Sequence, residues 1–364
     1  MEIHRKHFIC TRDNQRRRGK SRDKSDRGRK VARSPASPND TRSASESEVQ
    51  RAFEESYQRS LAEEPWKGAG LYGTYLSSPN DIRRSFLDLW PRLDGILEKS
   101  IEPASALKDI GDLIVYEIPD GTRTTLSTNE KIDVELDAGM WCLSFIHTLR
   151  SLGARKAVLM THTSYNRQRS EGEVERIISI LERGIAPVAD YCEKNDVNAR
   201  LVGVSDEYEL SESLRAAFPE RKGADFEVFF LIDYREECFL EEKGKELMSR
   251  LPDVDVVVRH TKMHISGGWL PTKTLRSTYL YCQNGTVYTN WTFDEHVSLV
   301  GAALLAKYLN QGEMLMKSYP SVDDVKKRYQ KRELSLSNRV VKVREAPKKL
   351  YVMGSPWGLV QLYY

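Results

Sequence analysis

Two rhythms of apolar residues divide the chain. Between residues 48 and 109 the spacing is helical. VQRAFEESYQRSLAEE sets Phe53, Tyr57 and Leu61 on one stripe, and SFLDLWPRLDGILEKSI keeps helical intervals through Pro91. From about residue 110 short β-rich runs alternate with longer amphipathic segments. DLIVYEI reads as a strand, DVELDAGMWCLSFIHTLR (133–150) as a helix ending near Gly153, and ARKAVLMTH as a second strand. EVERIISILERGIAPVADYCEKN reads as a long helix. NARLVGVS, DFEVFFLID and DVDVVVRHT read as three more strands, with helices near 211–217 and 240–250 between them. TVYTNWTF is taken as a further strand and HVSLVGAALLAKYLNQG as the helix after it. This alternation predicts an α/β fold, a mostly parallel central sheet flanked by helices, preceded by an N-terminal helical extension.

Charge sets off the first residues from the rest. The net charge is +3, yet residues 1–40 hold 13 Lys/Arg against 5 Asp/Glu, leaving 43 against 48 for the remainder. Residues 10–47 are rich in Arg, Ser and Asp and poor in apolar side chains. Such a stretch cannot bury enough surface to offset its ordering entropy and is predicted to be disordered. The divisions expected are a basic tail over 1–47, a helical extension over 48–109, an α/β domain over 110–320 and a C-terminal extension over 321–364. A basic arm of this kind is able to touch nucleic acid, although a solvated arm accounts for it equally well. The C-terminal KKLYVMGSPWGLVQLYY is apolar enough to pack on a partner or to cover a cavity mouth.

No apolar run approaches the roughly 20 residues that cross a bilayer, and the N-terminus lacks an apolar leader core, so a cytoplasmic location is expected. Cys10, Cys142, Cys192, Cys238 and Cys282 lie far apart with no C-x-x-C pair, which fits neither a disulfide framework nor a zinc site.

In a parallel sheet the chemistry sits where strands end. After the first strand comes Asp120-Gly121-Thr122-Arg123. After the second come Thr163-Ser164-Tyr165-Asn166, then Arg167 and Arg169. DFEVFFLI is followed by Asp233-Tyr234-Arg235-Glu236, and VDVVV by Arg259, with His264 and Ser266 beyond. Each set alone is an ordinary solvated loop. Together they offer cations, hydroxyls, a glycine-opened backbone and a carboxylate, which suits a phosphorylated ligand bridged to the acid by a divalent metal. Neither G-x-x-x-x-G-K-[S/T] nor a G-x-G-x-x-G after a strand is present. His260 and His264 are four apart without the glutamate of a zinc-protease helix, and Ser164 has no evident base.

The order of these sets resembles the cis-prenyltransferase family of the undecaprenyl diphosphate synthase type. IPDGTR stands where that family has a strand ending D-G-N-x-R. HTSYNRQR, followed by a helix, stands for F-S-x-E-N-W-x-R, and DFEVFFLIDYREE for a strand ending N-Y-G-G. VDVVVRHTKMHISGGWL stands for L-I-R-T-G-G-E-x-R-x-S-x-F-L. The resemblance spans roughly 110–310. It implies a homodimeric or heterodimeric α/β fold with an apolar tunnel, for which the apolar faces of the helices at 133–150 and 174–191 are candidate linings, although a plain core accounts for those faces equally well. It also implies one site for an allylic diphosphate and one for isopentenyl diphosphate.

By that resemblance Asp120 holds Mg²⁺ or assists departure of the diphosphate. Gly121, Thr122, Arg123 and Arg169 hold the allylic diphosphate, Asn166 stands near proton loss or diphosphate contact, and Arg259, His264 and Ser266 hold the second diphosphate. The sequence also departs from the pattern. Thr122 replaces the asparagine of D-G-N, Tyr165 and Arg167 replace the glutamate and tryptophan of the second motif, and His264 replaces the second arginine of the last. Three readings follow: an Mg²⁺-dependent prenyl diphosphate synthase or prenyltransferase making a cis or irregular coupling, a terpene synthase-like enzyme rearranging one allylic diphosphate, and a non-catalytic subunit on the same fold.

Overall fold

The computed structural model describes residues 76–97, 99–119, 134–203, 216–260, 268–284, 293–315, 321–324, 326–327, 340–344, 350–355 and 358–363. The chain divides into two units, Met1–Ser43 and Ala44–Tyr364, and every described residue belongs to the second. The basic tail predicted over 1–47 therefore lies outside the described residues.

Among the described residues the strands are β1 (Ile114–Ile118), β2 (Lys156–Met160), β3 (Val197–Gly203), β4 (Phe226–Ile232), β5 (Val256–His260), β6 (Thr278–Asn284), β7 (Val340–Arg344), β8 (Leu350–Ser355) and β9 (Gly358–Tyr363). They form one sheet in the order β3-β4-β2-β1-β5-β6-β9-β8-β7. Every pairing from β3 to β9 is parallel, while β8 runs antiparallel to both β9 and β7. The helices are α1 (Pro79–Leu93), α2 (Pro103–Asp109), α3 (Val134–Leu152), α4 (Glu171–Lys194), α5 (Glu242–Arg250) and α6 (Phe293–Leu315). The predicted mostly parallel, helix-flanked sheet is the architecture found.

The apolar runs of the strands explain this arrangement. Side chains alternate across a strand, so β1 sends Val115 and Glu117 to one face and Tyr116 and Ile118 to the other. The first face packs with Phe86 and Trp90 of α1, Trp141 and Phe145 of α3, Val188 of α4 and Val300 and Leu304 of α6. The second face packs with Met248 of α5 and with Leu270. A strand covered on both sides must be apolar at nearly every position, and β1, β2 and β4 are. The first-face cluster makes α1 part of the main core, so the described end of the N-terminal extension covers that core. Local signals start its helices: the Ser78 hydroxyl accepts the Asp81 N–H at 3.2 Å, with Pro79 at the first helical position.

Two elements differ from the sequence reading. The strand beyond β5 is Thr278–Asn284, a segment not predicted to be extended; TVYTNWTF lies outside the described residues except Phe293, which opens α6. The C-terminal apolar residues build β8 and β9, and β9 pairs directly with β6 from Leu280↔Leu359 to Asn284↔Tyr363. Among the described residues no helix is long and apolar enough to cross a membrane.

Candidate functional site

The chain leaves β1 toward β2 on one side, and after β3 and β4 returns to β5 on the other side of β1. Such a reversal, beyond the carboxyl ends of β1 and β5, is the place where open α/β sheets receive ligands. The register puts Ile118 opposite Arg259, and Glu117 opposite both Val258 and Leu159 of β2. Asp120 follows Ile118 by two residues in sequence. Asp120, Gly121, Thr122, Arg123, His264 and Ser266 themselves lie outside the described residues. Asn166, Arg169 and Arg259 are described, and they follow or end the two strands that flank β1.

Asn166 occupies a 3-10 turn, Ser164–Gln168, just past β2. Its backbone N–H donates to the Thr163 carbonyl at 2.9 Å, and the Thr163 hydroxyl donates to its Oδ1 at 3.0 Å. The amide is thus held by its own turn. The turn also separates the two arginines beyond it. Arg167 reaches back to the Asp233 carboxylate, whereas Arg169 is already in extended backbone. Asp233 follows β4, is 5% exposed, and adopts the left-handed region at φ 54°, which aspartate tolerates better than most residues.

His162 lies 3.7 Å from Asp233, Nδ1 to Oδ1, and is buried. Burial, reinforced by the positive Arg167 and Arg169, pushes the imidazole down to about 4, so it is neutral near pH 7. His162 and Asp233 are buried and Arg167 is partly exposed, and the sequence alone did not single out their pairing. Their order in the chain gives no sign that positions 66 apart will pair.

On the second face, Arg259 is 5% exposed and its charge acts on the Tyr116 hydroxyl, which burial raises well above the ordinary phenol value. Tyr116 donates to the Gly268 carbonyl, and Tyr234 donates to the Trp269 carbonyl at 2.8 Å. The Trp269 N–H donates to Glu236 at 3.0 Å. Three contacts thereby tie the segment 268–270 to β1 and to the exit of β4.

Gly268 has φ +85°, and a Cβ there would come within 2.5 Å of Met160 Cε and 3.0 Å of Tyr116 Oη. Gly268→Ala is expected to cost roughly 2 kcal/mol, from the left-handed backbone plus displacement of the methionine tip. Urea denaturation of the two proteins checks this, and an unchanged midpoint would contradict the crowding.

On the first face, Glu117 and His260 are both fully buried, and Glu117 Oε1 contacts His260 Nε2. Glu117 Oε2 is buried with no hydrogen-bond partner. Burial raises the Glu117 carboxyl above its ordinary value, and the neighbouring His260 opposes that shift. The Trp141 ring stands edge-on to His260, with centroids 5.9 Å apart, and lies 5.5 Å from His296. The sequence reading placed neither Glu117 nor His260 in the site. The available signal was an acid inside an otherwise apolar strand, VYEI.

Among the described residues there is no group of three or more His, Cys, Asp and Glu able to hold a metal ion. The predicted Mg²⁺ ligand is Asp120, outside those residues.

No protein-family model matches the chain, and no curated protein matches it. Solved structures do. One is a probable undecaprenyl diphosphate synthase from Campylobacter jejuni, at 18% identity and TM-score 0.38, covering 51% of this chain and 92% of that one. Another is lavandulyl diphosphate synthase from Lavandula x intermedia in complex with dimethylallyl diphosphate, at 11% identity and TM-score 0.42, covering 53% of this chain and 96% of that one. These figures describe a shared outline of the fold.

Proposed function

We propose that the chain is a transferase acting on prenyl diphosphates, ionising an allylic diphosphate beyond β1 and coupling the cation to a second isoprenoid unit. The observation that carries this reading is topological. Of the residues assigned to the two diphosphates from their motifs alone, the described ones support it: Asn166 and Arg169 follow β2 and Arg259 lies near the end of β5, the two strands that flank β1 at the sheet's reversal point. Charge developing on a departing diphosphate calls for fixed cations, and Arg123 and Arg169 are assigned that task, with Arg259 assigned to the second diphosphate. Asp120 would hold Mg²⁺, which supplies further charge neutralisation to the leaving group when bound. Gly121 and Thr122 would present backbone amides to the same phosphates, and His264 and Ser266 would complete the second diphosphate subsite. Asn166, already fixed by Thr163, is assigned to hold a diphosphate oxygen through its amide N–H groups.

The test is pyrophosphate release by purified full-length protein with Mg²⁺ and dimethylallyl diphosphate, with and without isopentenyl diphosphate. Release that needs both substrates supports coupling. Release from the allylic substrate alone turns the reading to single-substrate rearrangement, and no release with any allylic diphosphate overturns it. Asp120→Asn is expected to lower the rate on the order of a hundredfold, the effect of removing one electrostatic group from a leaving-group site. Its thermal transition should be unchanged; equal rates for the two proteins would remove Asp120 from this role.

A further inference from the structure

Coupling or rearrangement of an allylic cation ends in loss of a proton, so a site that performs it needs a base. Asn166 does not fill that need. An amide oxygen is a weak proton acceptor, and its Oδ1 already accepts from Thr163 at 3.0 Å. The diphosphate cradle is assigned cations and amides, which donate. The first face of the sheet offers a different group.

Glu117 lies three residues before Asp120 on the strand that opens the site, and points to the side covered by α3 and α6. It is 0% exposed, its Oε1 is engaged by His260, and its Oε2 has no hydrogen-bond partner. A carboxylate kept only for structure would be cheaper as an apolar side chain, or would have both oxygens satisfied. Its half-satisfied state calls for an explanation, and the surroundings suggest one. Trp141 stands edge-on to His260 at 5.9 Å and Phe145 stacks on Trp141 at 5.7 Å, so aromatic rings flank the buried pair. A carbocation survives only where water is excluded, and aromatic faces stabilise positive charge.

Resting on the reading above, we propose that Glu117, oriented by His260, is the base that takes the terminal proton from the isoprenoid carbocation. The part of the ligand recognised here is the hydrocarbon cation, while the diphosphate of the second isoprenoid unit stays in its own subsite. A C–H bond next to the cationic carbon breaks, its electron pair closes a C=C bond, and the proton passes to Oε2. His260 keeps its contact with Oε1 throughout and fixes the carboxylate plane. The proton returns to water after diphosphate and product have left.

The other titratable groups facing the pair do not compete. His296 of α6 is neutral, burial pushing it down to about 3, and burial holds the Cys142 thiol of α3, at about 12, and the Cys282 thiol of β6 protonated. Each thiol is raised further by the charge of Glu117 itself. Beside these groups Glu117 alone offers a carboxylate oxygen, Oε2, with no hydrogen-bond partner to receive the proton.

The experiment follows the hydrocarbon as well as the pyrophosphate. Full-length protein, Mg²⁺, dimethylallyl diphosphate and isopentenyl diphosphate are incubated, and the products are dephosphorylated and resolved by gas chromatography and mass spectrometry. In Glu117→Gln the yield of the wild-type alkene per pyrophosphate released is expected to fall at least tenfold. Water-captured alcohols or shifted double-bond isomers should replace it. His260→Asn, which keeps the carboxylate, should lose less. In the wild type that yield should fall as pH drops, beginning above the range of an ordinary carboxylate because burial raises Glu117. This second readout requires no variant and speaks even if Glu117→Gln does not fold. A wild-type enzyme that turns over with a pH-independent alkene yield, or a folded Glu117→Gln with wild-type products, overturns the base while leaving the transferase reading standing. A wild-type protein that releases no pyrophosphate takes both down.

Discussion

Gly139→Val is expected to abolish the folded state at 37 °C, and Gly139→Ala to cost about 3 kcal/mol. Helices α3 and α4 cross where Gly139 meets Gly184. A Cβ on residue 139 would lie 2.5 Å from Gly184 Cα and 2.7 Å from its carbonyl carbon. The obstruction is backbone, which cannot rotate away as a side chain does. Relief requires the helices to separate along their whole contact, which would loosen Met140, Leu143, Ala186 and Ala189 on either side of the crossing.

Helix propensity pulls in the opposite direction, because alanine within a helix is favoured over glycine by about 1 kcal/mol. The sign of the change for Gly139→Ala therefore decides which effect governs the position. Destabilisation measured by urea unfolding supports the close crossing, and stabilisation would show that the helices lie farther apart.

The second large effect is on acid stability. His162 and His296 are held near 4 and 3 in the folded chain, both mainly by burial, against 6.5 for an exposed histidine. Between those values the unfolded chain binds protons that the folded chain does not, so stability rises with pH through this window. The contribution is full above 6.5 and is lost as the pH falls through 6.5 toward 4 and 3. At about 1.4 kcal/mol per unit, the two histidines together account for several kcal/mol, comparable with the net stability of a domain.

Glu117 acts in the opposite sense. Burial raises its carboxyl, so its contribution is full below 4.5 and declines as the pH rises. One raised carboxyl against two strongly lowered imidazoles leaves the histidines dominant. The urea midpoint should fall steeply between pH 6.5 and 4.5, and His162→Asn should flatten that slope. A midpoint that stays level across this range would contradict the neutral, buried state of both rings.

The fold was legible where burial on both faces forces an unbroken apolar run, as in KAVLM, FEVFFLI and VVV. The helical spacing of SFLDLWPRL was legible too, although the helix begins earlier than that run, at Pro79 behind its Ser78 cap. The fold was less legible at the far side of the sheet. TYLYCQN alternates polar and apolar residues no more clearly than TVYTNWTF beside it, and pairing with β5 and β9 decides between them. The C-terminal LYVMGS and GLVQLY have strand composition around a Gly/Pro turn, but nothing local says that β9 will join β6.

The site divides the same way. Motif order brought Asn166, Arg169 and Arg259 forward, since each stands directly after or within a recognisable strand. Asp233 and Glu117 draw their roles from partners 66 and 143 residues away, Arg167 and His260. A lone acid in a strand has no local signature of what it will meet.

The position of β9 carries a consequence for how the molecule assembles. The final strand is an interior one, seated between β6 and β8, and its partner in β6 precedes it by about eighty residues. During synthesis the first six strands and α6 are complete before it exists. Until it docks, β6 presents an open ladder of N–H and C=O groups to any neighbouring nascent chain. The β6–β9 pairing is thus a long-range step that waits for the C-terminal strands, and self-association can compete with it in the interval.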